Sequence, residues 1–307
     1  MKALRLGTRK SELATTQSRQ VADRLTRITG RPVELVGVTT FGDVTRAHLT
    51  QLGGTGVFVS ALRERLIAGE IDIAVHSLKD LPTAPDPRVV IAAVPPREDP
   101  RDALVCRVKL ADLPAGAKIG TGSPRRVAQL RALRPDLEYV PIRGNLDTRI
   151  GKVAAGELDA VVLAAAGLNR VGRSHEIGQL FELDEVLPAP GQGALAVECA
   201  AGRTDLIELL AVLDDPATRA EVTAERAVLA ALEAGCAAPV GAFAVIDREQ
   251  NREKPLNLTA AVVAIDGTRS VRKSTAGPAT SPMELGRDLA AAMIADGAGT
   301  LMGERIH

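Results

Sequence analysis

The chain has no tryptophan, one tyrosine and four phenylalanines in 307 residues. Single-stranded nucleic acids are held on aromatic stacking platforms, and too few rings are present here to build one. Charge of one sign is also missing: 38 Lys+Arg balance 38 Asp+Glu. A binder of nucleic acid or of an anionic membrane surface shows a basic surplus, so both classes are set aside. Three cysteines without regular spacing make neither a disulfide framework nor a zinc site, and no metal is expected. No apolar run reaches membrane length, and the opening MKALRLGTRKSEL lacks an apolar signal core. The simplest reading is a soluble cytoplasmic protein; a monomer is also expected.

What is present is apolar and repetitive. Hydrophobic residues make up 46% of the chain, enough for large cores in two or three domains. Four landmarks occur twice in the same order. A strand ending in Gly-Thr precedes a Ser and a helix, at Leu6-Gly7-Thr8-Arg9-Lys10-Ser11 and at Ile119-Gly120-Thr121-Gly122-Ser123. Arg-Pro precedes a strand at Arg31-Pro32 and Arg134-Pro135, and a glycine turn follows at Phe41-Gly42-Asp43 and Arg143-Gly144-Asn145. The closest match is Ala68-Gly69-Glu70-Ile71-Asp72 against Ala155-Gly156-Glu157-Leu158-Asp159, where a glycine closes a helix before a buried strand. Strands alternating with helices predict two similar α/β lobes with mostly parallel sheets. Ligands of such sheets sit at the carboxyl ends of strands, where helix N-termini point.

Two Pro- or Gly-rich stretches, Pro95–Pro100 and Pro188–Gly193, read as crossings between lobes. The predicted organisation is a first lobe of residues 1–95 with 194–212, a second of 99–188, and a cleft between them at a double hinge. From Asp215 the pattern changes to a helix running to about Ala234 and closed by Gly235. Three strands follow near 240–247, 256–265 and 268–275, with a hairpin turn at Asp266-Gly267, and then a helix opened by a Ser281/Glu284 capping box. Residues 215–307 are thus expected to form a small α+β domain.

Arginine is concentrated between 125 and 149. Arg131 and Arg134 read as a solvated helix face. Arg125 and Arg126 fall at a helix N-terminus, where cations oppose the helix dipole, so an anion between them is expected. Arg143 and Arg149 bracket a glycine turn at the ligand end of a strand, and Arg9 holds the corresponding place in the first lobe. Arginine forks match carboxylate or phosphate, and several of them imply a polyanion. His76-Ser77-Leu78-Lys79-Asp80 follows a buried strand. It reads either as a surface turn with a Lys–Asp pair or as a carboxylate beside a cleft, with Ser77 and Lys79 binding an anion. In the second reading Asp80 stabilises positive charge or relays a proton. His76 is expected to bond locally. Gly53-Gly54-Thr55-Gly56 lacks the spacing of a phosphate loop and reads as part of a mobile loop from about 43 to 57. Cys106 and Cys199 lie in apolar strand-like runs. Cys236 lies between Gly235 and Pro239 in a loop, where a thiol is either a small structural hydrophobe or open to a reagent.

These segments together, nearly end to end, resemble the porphobilinogen deaminase (hydroxymethylbilane synthase) family. The specific pieces are Leu6–Ser11, Gly53–Phe58, Asp72–Pro82, Arg97–Ala103, Gly120–Arg126, Arg143-Gly144-Asn145, Pro190–Gly193 and Glu233–Cys236. The resemblance implies two lobes like type II periplasmic binding proteins and a third domain that anchors a dipyrromethane cofactor by a thioether to Cys236. It implies a transferase that condenses four porphobilinogens head to tail, with loss of ammonia. Asp80 matches the catalytic aspartate. Ser77, Lys79, Ser123, Arg125, Arg126 and Arg149 match positions that hold cofactor carboxylates. Arg9, Ser11, Gln17, Arg143 and Arg170 match substrate or chain contacts, and Phe58 an aromatic near the growing chain. The chain departs from some relatives at Gln51, Thr55 and Ser60, which stand where those carry lysine, and at Glu12, which replaces a proline. A non-catalytic two-lobe anion-binding protein would also explain the repeat and the arginines, and a nucleotide-binding regulator the arginines alone.

Overall fold

A computed structural model of the chain describes residues 2–38, 56–235, 238–246 and 255–302. From the N-terminus the elements run β1 (Leu4–Thr8), α1 (Glu12–Thr29), β2 (Val33–Gly37), α2 (Gly56–Ile67), β3 (Ile73–Ser77) and β4 (Val89–Ala93). Next come β5 (Asp102–Val105), β6 (Lys118–Gly120), α3 (Pro124–Leu133), β7 (Glu138–Val140), α4 (Leu146–Ala154), β8 (Ala160–Ala164), α5 (Ala165–Arg170) and β9 (Ile177–Leu180). The chain continues through β10 (Leu195–Ala200), α6 (Thr204–Leu210), α7 (Pro216–Ala231), β11 (Val240–Ile246), β12 (Pro255–Val263), β13 (Ser270–Pro278) and α8 (Pro282–Ala295). Contacts divide it into two compact units, Met1–Arg97 with Ala194–Arg219, and Glu98–Gly193 with Ala220–His307.

The first unit holds a five-stranded sheet of order β2-β1-β3-β10-β4, the second a sheet of order β7-β6-β8-β5-β9. The two have one topology. In each, the second strand in the order runs parallel to its two neighbours, and a single antiparallel strand lies between the third and the fifth. That antiparallel strand is β5 in one sheet and β10 in the other. Each is the first strand after the chain passes from one unit to the other.

The repeat in the sequence has a packing cause. Gly7 in β1 lies so close to Ile71 that a Cβ would sit 2.4 Å from its Cδ1, and Gly120 in β6 stands 2.6 Å from the Leu158 Cδ1 in the same sense. Ile71 and Leu158 are the matching residues of the repeat. Each is buried under the strand that its lobe's first glycine leaves open, and any side chain at that glycine would displace it. Gly69 and Gly156 close α2 and α4 with φ of +67° and +71°, a conformation that costs other residues about 1 kcal/mol or more.

Apolar side chains cover both faces of each sheet, as a mostly parallel sheet requires. Leu4, Leu6, Leu25, Ile73 and Val197 form a core in the first unit. In the second, Leu104, Ile119, Leu130 and Phe181 pack on one face and Ile142, Ile150, Val161 and Leu168 on the other. The C-terminal segment adds an antiparallel sheet of order β11-β12-β13, packed against α7 and α8 through Val228, Leu232, Leu258, Leu289 and Met293.

Some local expectations differ from the structure. Asp215 caps α7 as expected, with its Oδ1 accepting from Thr218 N at 2.7 Å. The helix ends at Ala231, though, and Glu233, not Gly235, takes the positive φ of 50°. The Ser281 side chain caps nothing: its ψ of 50° is not the extended value that aims a cap oxygen into the first turn. Arg131 and Arg134 are not merely solvated. Arg131 donates to Ile265 O at 2.9 Å, in the turn whose Gly267 lies against α3. Arg134 donates to Leu110 O and Leu113 O and pairs with Asp136 at 2.7 Å.

Candidate functional site

In the first unit the predicted residues gather at the carboxyl ends of β1 and β3. Ser11 is the N-cap of α1, its Oγ accepting from Ala14 N at 3.4 Å. Six residues on, the buried Gln17 donates from Nε2 to Ser77 Oγ at 3.2 Å, and Ser77 Oγ lies 3.4 Å from Gln17 Oε1. The helix thereby holds the last residue of β3. Leu78–Asp80 is a single 3-10 turn, with Leu78 buried and Lys79 and Asp80 half-buried beside it. Leu78 N donates to Ala194 O at 3.0 Å and Leu81 N to Leu78 O at 3.1 Å. Asp80 is therefore carried on backbone anchored at both ends. Arg9 follows β1, half-buried, its carbonyl accepting from Thr15 Oγ1 at 3.3 Å.

Behind this turn lies a buried ion network that the sequence reading did not single out. Glu198 of β10 is 1% exposed. Arg63 of α2 forks onto it, Nε to Oε2 at 3.1 Å and an amino nitrogen to Oε1 at 2.6 Å. His76 Nε2 lies 3.2 Å from Glu198 Oε2. Burial alone would raise the Glu198 carboxyl; His76 and Arg63 outweigh it and bring it down to about 2. Cys199, next in the strand, is pushed up to about 11 by burial, as befits a structural thiol.

In the second unit the arginines separate into two kinds. Ser123 caps α3, its Oγ accepting from Arg126 N at 3.5 Å, and Pro124 takes the first helical position. Arg125 and Arg126 are 3% and 6% exposed. The anion that sequence reasoning placed between them is, in the structure, first of all an internal one. Asp102, at the start of β5 and 0% exposed, accepts at Oδ1 from Arg126 Nε at 3.0 Å and an Arg126 amino nitrogen at 2.7 Å. Its Oδ2 lies 2.7 Å from Arg125. The premise that only a bound ligand makes two cations favourable at this helix start is thus corrected: the fold supplies one anion of its own. Arg125 also donates to Leu187 O at 2.5 Å and Arg126 to Val162 O at 2.8 Å. Gln192 completes the cluster, donating from Nε2 to Asp102 Oδ1 at 2.8 Å and to Pro100 O at 2.7 Å. Burial would raise the Asp102 carboxyl, but Arg125 and Arg126 hold it well below the usual range. Burial also pulls the Arg125 guanidinium down, against the attraction of Asp102.

The other arginines are more open. Arg143 is exposed at the glycine turn after β7, and Asn145 there caps α4. Arg149, half-buried on α4, donates from Nε to Gly144 O at 2.9 Å. Arg170 ends α5 and donates to Gly193 O at 2.6 Å; burial brings its guanidinium down to about 10, opposed by Glu98. Cys236, Gln51 and Thr55, with residues 43–55 of the expected loop, lie outside the described residues, as does the side chain of Phe58. Among the described residues no cluster could hold a metal and no helix is long and apolar enough to cross a membrane.

The buried residues missed in the sequence, Asp102 and Glu198, had a signal. Each is an acid in an otherwise apolar strand, Asp102-Ala103-Leu104-Val105 and Leu195-Ala196-Val197-Glu198-Cys199. A charge in a strand buried on both faces needs a partner.

Two family models match the chain: porphobilinogen deaminase, dipyromethane cofactor binding domain, over residues 4–208, and porphobilinogen deaminase, C-terminal domain, over 219–295. Porphobilinogen deaminase 1 of Streptomyces coelicolor is 61% identical over 314 residues, spanning 99% of this chain and 98% of the relative. The porphobilinogen deaminase of Thermobifida fusca is 62% identical over 310 residues, spanning 98% and 96%. Among solved structures, the methionine binding protein MetQ aligns over 69% of this chain and 89% of its own, at 10% identity and a TM-score of 0.45.

Proposed function

The chain belongs to the porphobilinogen deaminase family, and we propose that it builds hydroxymethylbilane with the residues described above. It is a transferase that joins four porphobilinogens head to tail, releasing ammonia at each step, on a dipyrromethane cofactor. The family sets aside the non-catalytic anion-binding alternative. In our reading the protein acts as a cytoplasmic monomer without nucleic acid, consistent with its balanced charge. Residues 1–95 with 194–212 and 99–188 serve as the two working lobes and 215–307 as the anchoring domain.

The observation that carries the reading is the charge count at α3: two buried guanidiniums face one buried carboxylate. Arg125 Nε is buried and without a hydrogen-bond partner. A buried surplus cation fits a ligand rich in carboxylates, and acetate and propionate groups on linked pyrroles are such a ligand. When bound, the dipyrromethane supplies a primer with a nucleophilic pyrrole carbon. Ser77, Lys79, Ser123, Arg125, Arg126 and Arg149 would hold its carboxylates. Cys236 Sγ would hold it through the thioether. Arg9, Ser11, Gln17, Arg143 and Arg170 bind the carboxylates of the substrate and growing chain, and Phe58 packs near that chain.

Asp80 does the electrostatic work. Loss of ammonia from porphobilinogen leaves an azafulvene with cationic character, and a fixed carboxylate at the pyrrole N–H lowers the energy of that charge. Its place on a turn pinned by Leu78 and Leu81 keeps the carboxylate from having to reorganise as charge develops. The test is the mass of purified, denatured protein. The expected value exceeds the sequence mass by two linked pyrrole units, and peptide mapping puts the addition on Cys236 and not on Cys106 or Cys199. An unmodified mass in an active preparation overturns the reading.

A further inference from the structure

Asp102 is unlike the residues assigned to the cofactor. It is an acid in a site for an acid. Its carboxylate is fully buried at the start of the strand that enters the second unit, and all its neighbours are donors. A bound carboxylate can add to the same two guanidiniums only on atoms that Asp102 leaves available. Two bare guanidiniums side by side in a buried place repel one another, and each is stripped of water. Without a resident anion, nothing in the apo-protein offsets that repulsion, and one of them must swing out before any ligand arrives.

We infer that Asp102 is a positioning residue for cofactor loading: it holds the Arg125 and Arg126 forks in place in the apo-protein, and Gln192 fixes Asp102. The inference rests on the reading that this arginine pair holds the cofactor's carboxylates. The geometry supports it at each link. Arg126 is locked by both oxygens it meets, Asp102 Oδ1 and Val162 O. Arg125 is held between Asp102 Oδ2 and Leu187 O, and that carbonyl is itself positioned by Gln129, which donates to Leu187 O at 3.0 Å and accepts from Leu187 N at 2.8 Å. Gln192 lies in the Pro190–Gly193 turn, and Glu225 of α7 ties that turn to the C-terminal sheet, accepting from Gly191 N at 2.7 Å and from Ala244 N at 2.8 Å. A continuous run of buried hydrogen bonds therefore connects β11 of the anchoring segment with the arginine pair. One anion for two cations leaves one positive charge, enough to attract a carboxylate ligand and small enough to keep the pair in place before it comes.

The test uses full-length apo-protein made in a host that lacks porphobilinogen. Porphobilinogen is then supplied and the two-pyrrole adduct is timed by intact mass. Asp102→Ala is expected to load about 10- to 100-fold more slowly, the effect of one lost charge-assisted contact. Sodium acetate, which can fill the space with a carboxylate, should restore much of the rate, while acetamide and sodium chloride at the same concentration should not. Loading of Asp102→Ala at the wild-type rate overturns the inference, as does rescue by acetamide equal to rescue by acetate, since shape and not charge would then matter. Gln192→Met keeps all three charges and decides the matter if Asp102→Ala does not fold: it should load a few-fold more slowly, and a wild-type rate overturns the inference. Arg125→Leu and Arg126→Leu test the reading beneath. If they load fully, that reading falls. If they stay apo while both other variants load normally, only the role of Asp102 falls.

Discussion

The two lobes share a topology, and each buries one acid on its antiparallel strand, yet the acids are balanced differently. Glu198 on β10 meets one guanidinium, Arg63, and the imidazole of His76. Asp102 on β5 meets two guanidiniums and an amide. The first arrangement matches its carboxylate with one guanidinium. It ties α2 to the sheet behind the turn that carries Asp80. The second retains a positive charge beside a helix N-terminus. One duplicated framework thus gives a lobe whose buried charges are used up internally and a lobe whose buried charges remain available to a ligand. In our reading the catalytic carboxylate, Asp80, belongs to the first lobe, and the arginines that hold the cofactor's carboxylates, Arg125, Arg126 and Arg149, belong to the second.

Four substitutions would break or sharpen this contrast. The largest effect belongs to Cys236→Ser, which should leave the fold intact and abolish the covalent adduct, read as an unmodified intact mass and no turnover. Asp80→Asn, in the first lobe, should load the cofactor and bind porphobilinogen but release ammonia about 10²–10³-fold more slowly in single turnover. Near-normal release by the loaded variant would show that charge stabilisation by Asp80 is not the main catalytic device. Arg125→Leu, in the second lobe, should be isolated mainly as apo-protein, since a charge-assisted contact to a buried anion contributes about 1.5–3 kcal/mol. If Asp80→Asn lost the cofactor and Arg125→Leu kept it, the division of labour between the lobes would be reversed.

The smallest catalytic effect is expected from Arg63→Met, which strips Glu198 of its fork. Removing one partner of a buried pair costs about 3–5 kcal/mol of stability, so the melting temperature should fall while adduct mass stays normal. The acid limb should change as well. Glu198 stands at about 2 in the folded protein against an ordinary 4.5. The stability this contributes is fully present above pH 4.5 and is lost as pH falls toward 2. Arg63→Met should flatten acid unfolding within that window; an unchanged acid limb would mean that the pair does not stabilise the lobe.

Much of the framework was legible in the residues because it rests on local rules. Gly7 and Gly120 with Ile71 and Leu158, the N-caps Ser11, Ser123 and Asn145, and the Asp266-Gly267 turn are each set by neighbours in sequence or by one close approach. Asp80 was placed at a strand end from an apolar run and a polar tail alone. Where local reading failed, a longer-range contact had intervened. Arg131 and Arg134 looked like a solvated face until residues more than twenty positions away met them, Ile265 and Leu110 among them. Gly235 looked like the helix stop, but the backbone turned two residues earlier.

Composition, repeat and motif order by themselves determined that this chain makes two related α/β lobes and a small third segment, and that its arginines are gathered as for a ligand with several carboxylates or phosphates. Those properties are read out by periodicity, by turn chemistry and by counting charges. Which charges remain available to the ligand was decided only in three dimensions. Asp102 is 23 residues from Arg125 in sequence, and Gln192 is farther still. Whether a cation is spent on the fold or kept for a ligand depends on which strand lies beside it, and strand order is a product of the whole chain folding back through β5 and β10.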